Sequence, residues 1–105
     1  STGGSINAGV LAQVDGVKKL EELVSALKTK DFTRMRKWVV TNSDVDPARI
    51  YRDVYDGLTE FLKPDSIPYA VVTIGKYQYQ DAFVADHEIN LVACLTEIMV
   101  ECETK

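Results

Sequence analysis

Ile89 to Cys102, INLVACLTEIMVEC, is the stretch whose reading decides the fold. Wound as an α-helix it is apolar around most of its circumference: Ile89, Leu91, Val92, Ala93, Leu95, Ile98, Met99 and Val100 leave only a narrow polar strip of Asn90, Glu97 and Glu101. Such a helix offers water no broad polar face, so it has to be covered by its own domain on one side and by further protein on the other. It reads as the central helix of a bundle, and assembly ranks ahead of catalysis as the function. Asp86 stands where an N-cap belongs, and Glu88 follows in the first turn, where negative charge complements the helix dipole.

Working outward, the preceding stretches also read as helices. Lys63 to Pro68 (KPDSIP) breaks the chain, and Asp65 or Ser66 can cap a helix over Ile67 to Gln80. Val71, Val72, Thr73, Ile74, Tyr77 and Tyr79 have strand propensity, and YQYQ alternates with period two, but helical neighbours offer no sheet for a lone strand to join. Gly75 in this helix is read as a point of close packing. Asp46 followed by Pro47 is a strong helix start. From Pro47 to Leu62, the residues Ile50, Tyr51, Val54, Tyr55, Leu58, Phe61 and Leu62 gather on about 140° of arc. Asp31 caps a helix to Thr41 with Phe32, Met35 and Val39 inward and Trp38 at the margin. Asp15 caps another to Lys28 with Val17, Leu20, Val24 and Leu27 inward. Ala8 to Val14 (AGVLAQV) is a short apolar piece in front of it. The expectation is an all-α domain, about five helices in a compact bundle over residues 8–105, after a flexible segment 1–7. The opening STGGSIN, with Ser1 in first place, suits a truncation joint to a larger protein.

A chain of 105 residues has room for one modest core. The 12 basic and 16 acidic residues give a net charge of -4, which argues against a dedicated nucleic-acid module. The charge is split, however: residues 17–37 hold seven Lys or Arg against three acids, and residues 38–105 hold five against twelve. Regions of opposite sign can meet between adjacent copies. Cys94 and Cys102 lie eight residues apart, about 12 Å along a helix, too far for a disulfide within it. They read as reduced core residues of a cytoplasmic protein. No apolar run reaches the roughly 18 to 20 residues of a membrane span.

Chemistry-bearing motifs are absent from the sequence. His87 is the only histidine, so a two-histidine zinc motif is excluded and the residue reads as the surface start of a helix. The carboxylate pairs Asp44 with Asp46 and Asp53 with Asp56 fall in a turn and on a solvated face, where nothing raises a pKa for acid-base work. No GxxxxGK[ST] loop is present. The chain is therefore expected to have no catalytic, cofactor-binding or metal-binding residue of its own. Lys30, Arg34 and Lys37 gather on the outer face of the second helix and supply a second reading, a free-standing helical DNA-binding module.

Taken together and in order, AGVLAQV (Ala8 to Val14), VKKLEELVSALKTKDFTRMRKWV (Val17 to Val39), KPDSI (Lys63 to Ile67), TIGKYQYQD (Thr73 to Asp81) and ADHEINLVACLTEIM (Ala85 to Met99) resemble the C-terminal collar domain of the small ATPase subunit of the sliding clamp loader of T-even-like bacteriophages. That subunit is related to replication factor C small subunits. The resemblance covers nearly the whole chain after residue 7. It implies a five-helix domain that packs beside equivalent domains, holding loader subunits in an open ring of five for DNA replication in the cytoplasm of an infected bacterial cell. ATP and magnesium, the sliding clamp and primer-template DNA would belong to ATPase domains whose motifs this sequence lacks. Partners of this domain would be the other loader subunits, and it would not be an enzyme by itself. The residues expected at the subunit interface are Trp38, Tyr77, Tyr79, Leu91, Leu95 and Ile98.

Overall fold

The computed structural model describes residues 20–105, which form five α-helices: α1 (Leu20–Lys28), α2 (Phe32–Thr41), α3 (Pro47–Phe61), α4 (Ile67–Asp81) and α5 (His87–Glu101). A 3₁₀ turn, Pro64–Ser66, leads into α4. The all-α bundle read from the sequence is the observed architecture. Ala8 to Val14, the Asp15 cap and Val17 lie outside the described residues.

Three of the expected caps form. Asp31 accepts from Arg34 N at 3.1 Å, Asp46 from Ala48 N at 3.0 Å and Asp86 from Ile89 N at 3.1 Å, each satisfying an amide that a helix start leaves without a partner. The fourth does not. Ser66 sits at the N-cap of α4 without capping it through its side chain; its Oγ accepts from Glu103 N at 2.8 Å instead. That bond belongs to a clasp in which the chain after α5 runs back along the end of α3. Lys63 N donates to Glu103 O at 2.9 Å, Lys105 N donates to Phe61 O at 3.0 Å, and Leu62 pairs with Thr104 across one antiparallel bridge.

Helix α5 packs against α4, α2 and α1, and α3 packs against α4 and α1. The core draws Leu23, Ala26 and Leu27 from α1, Met35, Trp38 and Val39 from α2, Ile50, Tyr51, Val54, Leu58 and Phe61 from α3, Ala70 and Ile74 from α4, and Leu91, Cys94, Leu95, Ile98 and Met99 from α5. Two inward assignments are corrected. Phe32 begins α2 beyond the reach of the core and is exposed, while Trp38 turns inward in its place; Tyr55 is exposed on α3, beneath the Arg52 guanidinium 5.4 Å from its ring.

The β-leaning segment is helical through Asp81. With no strand among the described residues to pair with, its backbone groups are satisfied by the helix, and Thr73 adds a bond from its hydroxyl to Tyr69 O at 2.9 Å. Gly75 is not a packing point, because a methyl group added there would meet nothing within 4 Å. A mid-helix glycine in open space only raises the entropy lost on folding. Gly75→Ala is expected to stabilise the domain by about 0.5–1 kcal/mol. The check is a rise in urea midpoint at unchanged slope.

Candidate subunit interface on the last two helices

Helices α4 and α5 form an antiparallel hairpin through residues 82–86, and a polar seam joins them. At its deep end Asn90, buried on α5, donates through Nδ2 to the Tyr77 carbonyl at 2.9 Å and to the Tyr51 hydroxyl at 3.0 Å, with Asp81 Oδ1 further off at 3.4 Å. Asp81 also lies 2.9 Å from His87 Nδ1. Burial is the main cause that pushes the Tyr51 phenol far above its ordinary pKa.

At the outer end Glu97 collects three donors: Tyr69 Oη at 2.5 Å, Tyr77 Oη at 2.9 Å and Lys76 Nζ at 3.3 Å. The Tyr69 bond, followed by that of Tyr77, holds the Glu97 carboxyl below the ordinary carboxylate range. Reciprocally, the bond to Glu97 pushes Tyr69 up to about 12. The two shifts have opposite consequences for stability. Glu97 adds stability that is present above the unfolded carboxylate value of about 4.3 and lost as pH falls through its lowered folded value. Tyr69 adds stability that is present below about pH 10 and lost as pH rises toward 12. In Glu97→Gln the Tyr69 pKa is expected to return toward 10, followed by NMR titration of ring-labelled tyrosine; an unmoved Tyr69 would show that the seam bond does not form.

Outside the seam, each helix also turns one apolar row toward solvent. On α5 the buried side carries Leu91, Cys94, Leu95, Ile98 and Met99, and the reverse side carries Ile89, Ala93, Thr96 and Val100, with Ile89 67% and Val100 65% exposed. On α4 the outward row is Pro68, Val72, Gly75 and Tyr79; Val72 is 69% and Tyr79 72% exposed. Phe83, 73% exposed, continues the row, its ring tilted against Tyr79 with centroids 5.3 Å apart. At the closed end of the hairpin Tyr77, Val84, Ala85, Ile89 and Ala93 wall a groove of about 430 Å³ with Gln80, Asp86 and Asn90 at its polar points.

The sequence-derived interface residues are thereby sorted. Tyr79 is on the exposed face, and Tyr77 is half-buried with its hydroxyl committed to Glu97. Trp38, Leu91, Leu95 and Ile98 are corrected: all four are buried in the domain's own core and leave no surface for a second chain. The apolar residues left toward solvent lie opposite them and were not among those expected: Ile89, Ala93 and Val100 on α5 and Val72 on α4. Their signal was present as a second apolar row at i, i+4 and i+11, hidden because the inner row is longer.

The basic face needs a similar correction. Lys30 is not on α2. It occupies the left-handed position after α1, φ 56°, where Lys30 N bonds to Leu27 O and Asp31 N to Ala26 O, the pattern usually closed by glycine. Its ammonium donates to the Met99 carbonyl near the C-terminal end of α5, a favourable place for a cation. Arg34 reaches back to Ser25 Oγ at 3.4 Å and stays exposed, so the exposed basic residues of α2 are Arg34, Arg36 and Lys37, beside Val40. Lys30→Ala keeps the backbone strain and loses the bond, with an expected loss of about 1–2 kcal/mol; Lys30→Gly relieves the strain and should stay within about 1 kcal/mol of the parent. Thermal unfolding of the two variants side by side tests that order.

Cys94 and Cys102 are buried free thiols, and burial pushes Cys94 up to about 12. Among the described residues no group of three or more His, Cys, Asp or Glu side chains is placed to hold a metal ion, and no helix is long and apolar enough to cross a membrane. No protein-family model matches the chain, and no curated protein matches it.

Proposed function

We propose that this chain is an assembly domain of the collar type, holding subunits of a sliding clamp loader side by side in a ring for ATP-dependent clamp loading during DNA replication. The observation that carries the reading is the outer face of α5, where Ile89 and Val100 stay about two-thirds exposed on a helix whose other side is already core. A folded domain derives no stability from such a row alone, and rows of this kind mark contacts between proteins. The exposed Val72, Tyr79 and Phe83 on the adjoining helix widen it. The ordered segments that resemble the clamp loader collar give the assembly its identity. In this reading ATP, magnesium, the clamp and primer-template DNA are handled by ATPase domains, and this domain contributes the contact between loader subunits in the cytoplasm of an infected cell.

Native mass spectrometry of the purified chain, together with fluorescence anisotropy on primer-template DNA, tests the reading. Oligomers of this 11.7 kDa chain with no DNA affinity at 0.15 M salt are expected. A monomer that binds DNA, losing affinity when Arg34, Arg36 and Lys37 are reversed, would replace it with the nucleic-acid module.

A further inference from the structure

Asn90 carries one polar atom that the seam does not use. Its two amide hydrogens go to the Tyr77 carbonyl and the Tyr51 hydroxyl, with the Asp81 carboxylate just beyond them. The carbonyl and the carboxylate can only accept, so the amide nitrogen has to face the seam and Oδ1 has to face away from it. Asn90 is only 6% exposed, yet Oδ1 receives no hydrogen bond from any of the described residues. Buried polar atoms are nearly always paired, so this one calls for a donor from outside the domain. Asn90 also lines the groove at the closed end of the hairpin, and Oδ1 is the atom it has to offer there. Asp86 lines the same groove one turn earlier, tied to Asn90 by Asn90 N donating to Asp86 O at 3.2 Å. Its Oδ1 accepts from Ile89 N, and among the described residues no ion pair uses its carboxylate. Gln80 adds an exposed side-chain amide, and the remaining walls are apolar.

We infer that this groove takes a lysine side chain presented by a short apolar segment of a partner protein. Oxygen acceptors at one end and apolar walls along the rest match an ammonium on a hydrocarbon stem. An ammonium is a compact donor with three hydrogens, and Asn90 Oδ1, the Asp86 carboxylate and the Gln80 amide oxygen are three acceptors for them. A guanidinium fits less well, because its planar fork seeks both oxygens of a carboxylate and Asp86 Oδ1 already caps α5. An anion is disfavoured: Ile89 N, the amide that would attract one, is taken by Asp86, and residues 77–96 hold Asp81, Asp86 and Glu88 with no Lys or Arg. A free amine would fill the groove and leave Ile89, 67% exposed at its wall, bare to water, whereas a lysine carried between aliphatic residues covers both. The inference does not rest on the assembly reading, since the groove is complete within one copy of the chain.

The experiment is an NMR titration of the ¹⁵N-labelled full chain with a capped peptide, acetyl-Gly-Leu-Lys-Leu-Gly-amide. Three further probes are its acetyl-lysine and arginine counterparts and free hexylamine. The lysine peptide should shift the amides of Gln80, Val84, Ile89 and Ala93 and the side-chain amide of Asn90, saturating below about 10 mM. Acetylation removes the charge and two of the three hydrogens and should weaken binding at least about tenfold; the arginine peptide and hexylamine should each bind at least about threefold more weakly than the lysine peptide. Asp86→Asn retains a good cap, keeps its fold by circular dichroism and should weaken the lysine peptide about fivefold or more. No saturable shift, shifts centred away from the groove, equal binding of the lysine and acetyl-lysine peptides, or an Asp86→Asn variant that binds like the parent would overturn the proposal. Hexylamine as tight as the peptide would assign the groove to free amines instead. Groove shifts that follow the chain's own concentration and leave no room for the peptide would assign it to a second copy, and either result overturns the proposal. A parent that stays monomeric bears on the assembly reading alone.

Discussion

Asn90→Ala is expected to destabilise the domain by about 2–4 kcal/mol, the largest effect of any polar substitution in the described bundle. The side chain is buried and its amide supplies the Tyr77 carbonyl and the Tyr51 hydroxyl, at 2.9 and 3.0 Å. Removing it leaves two polar groups, one buried and one part-buried, without that donor, at about 1–3 kcal/mol for each. Tyr51 cannot relieve the loss by ionising, because burial already pushes its pKa far upward. The substitution also releases Asp81, which stands 3.4 Å from the amide. Tyr51→Phe, which removes one acceptor and leaves the Tyr77 bond, should lose no more than about 1.5 kcal/mol. Urea unfolding of both variants against the parent measures the difference. Equal, small losses would mean that Asn90 does not bridge α3 and α4.

The second large effect is on assembly. Ile89→Asp with Val100→Asp is expected to weaken association at least about a hundredfold while leaving stability within about 0.5 kcal/mol of the parent. Covering each aliphatic side chain stabilises an interface by about 1.5–3 kcal/mol, and two lost contacts together exceed the roughly 2.7 kcal/mol of a hundredfold change. The aspartates also bring carboxylates that the contact would have to desolvate. In the single domain both positions are about two-thirds exposed, so folding hardly registers them. Leu95→Ala makes the opposite demand on the same helix. That side chain is 1% exposed, and its truncation should cost about 2–5 kcal/mol of stability. One helix thus carries two apolar rows whose loss is read by two different measurements.

The architecture was legible in the sequence because its helix starts are written in short-range chemistry. Asp31, Asp46 with Pro47, and Asp86 each needed only their next three residues to be recognised, and all three cap. Where a distant partner decided the outcome, local reading failed. Ser66 looked like a cap but is engaged by Glu103, thirty-seven residues away, and Lys30 looked like part of the α2 face but turns toward Met99. Gly75 carries no mark that distinguishes a tight contact from open solvent.

The candidate interface was half legible for a related reason. The pattern of INLVACLTEIMVEC says that the helix is apolar around most of its circumference, and this holds: Leu91, Leu95 and Ile98 fill the core while Ile89 and Val100 are left outside. Periodicity by itself does not say which row faces inward, since both rows have helical spacing. The neighbours that choose between them, Met35 and Trp38 on α2 and Ile74 on α4, are remote in sequence. The polar strip illustrates the same limit. Asn90 and Glu97 lie on one stripe of the wheel, yet one is a buried bridge to Tyr51 and the other accepts from Tyr69, Tyr77 and Lys76 near the surface.

The most direct measurement is the molar mass of the purified chain over a range of concentration, by sedimentation equilibrium, for the parent and for Ile89→Asp with Val100→Asp. The parent should rise above its 11.7 kDa monomer mass as concentration increases, and the double variant should stay monomeric with an unchanged unfolding curve. A parent that remains monomeric at millimolar concentration, or a double variant that assembles as well as the parent, would contradict the claim that the outer face of α5 holds subunits together.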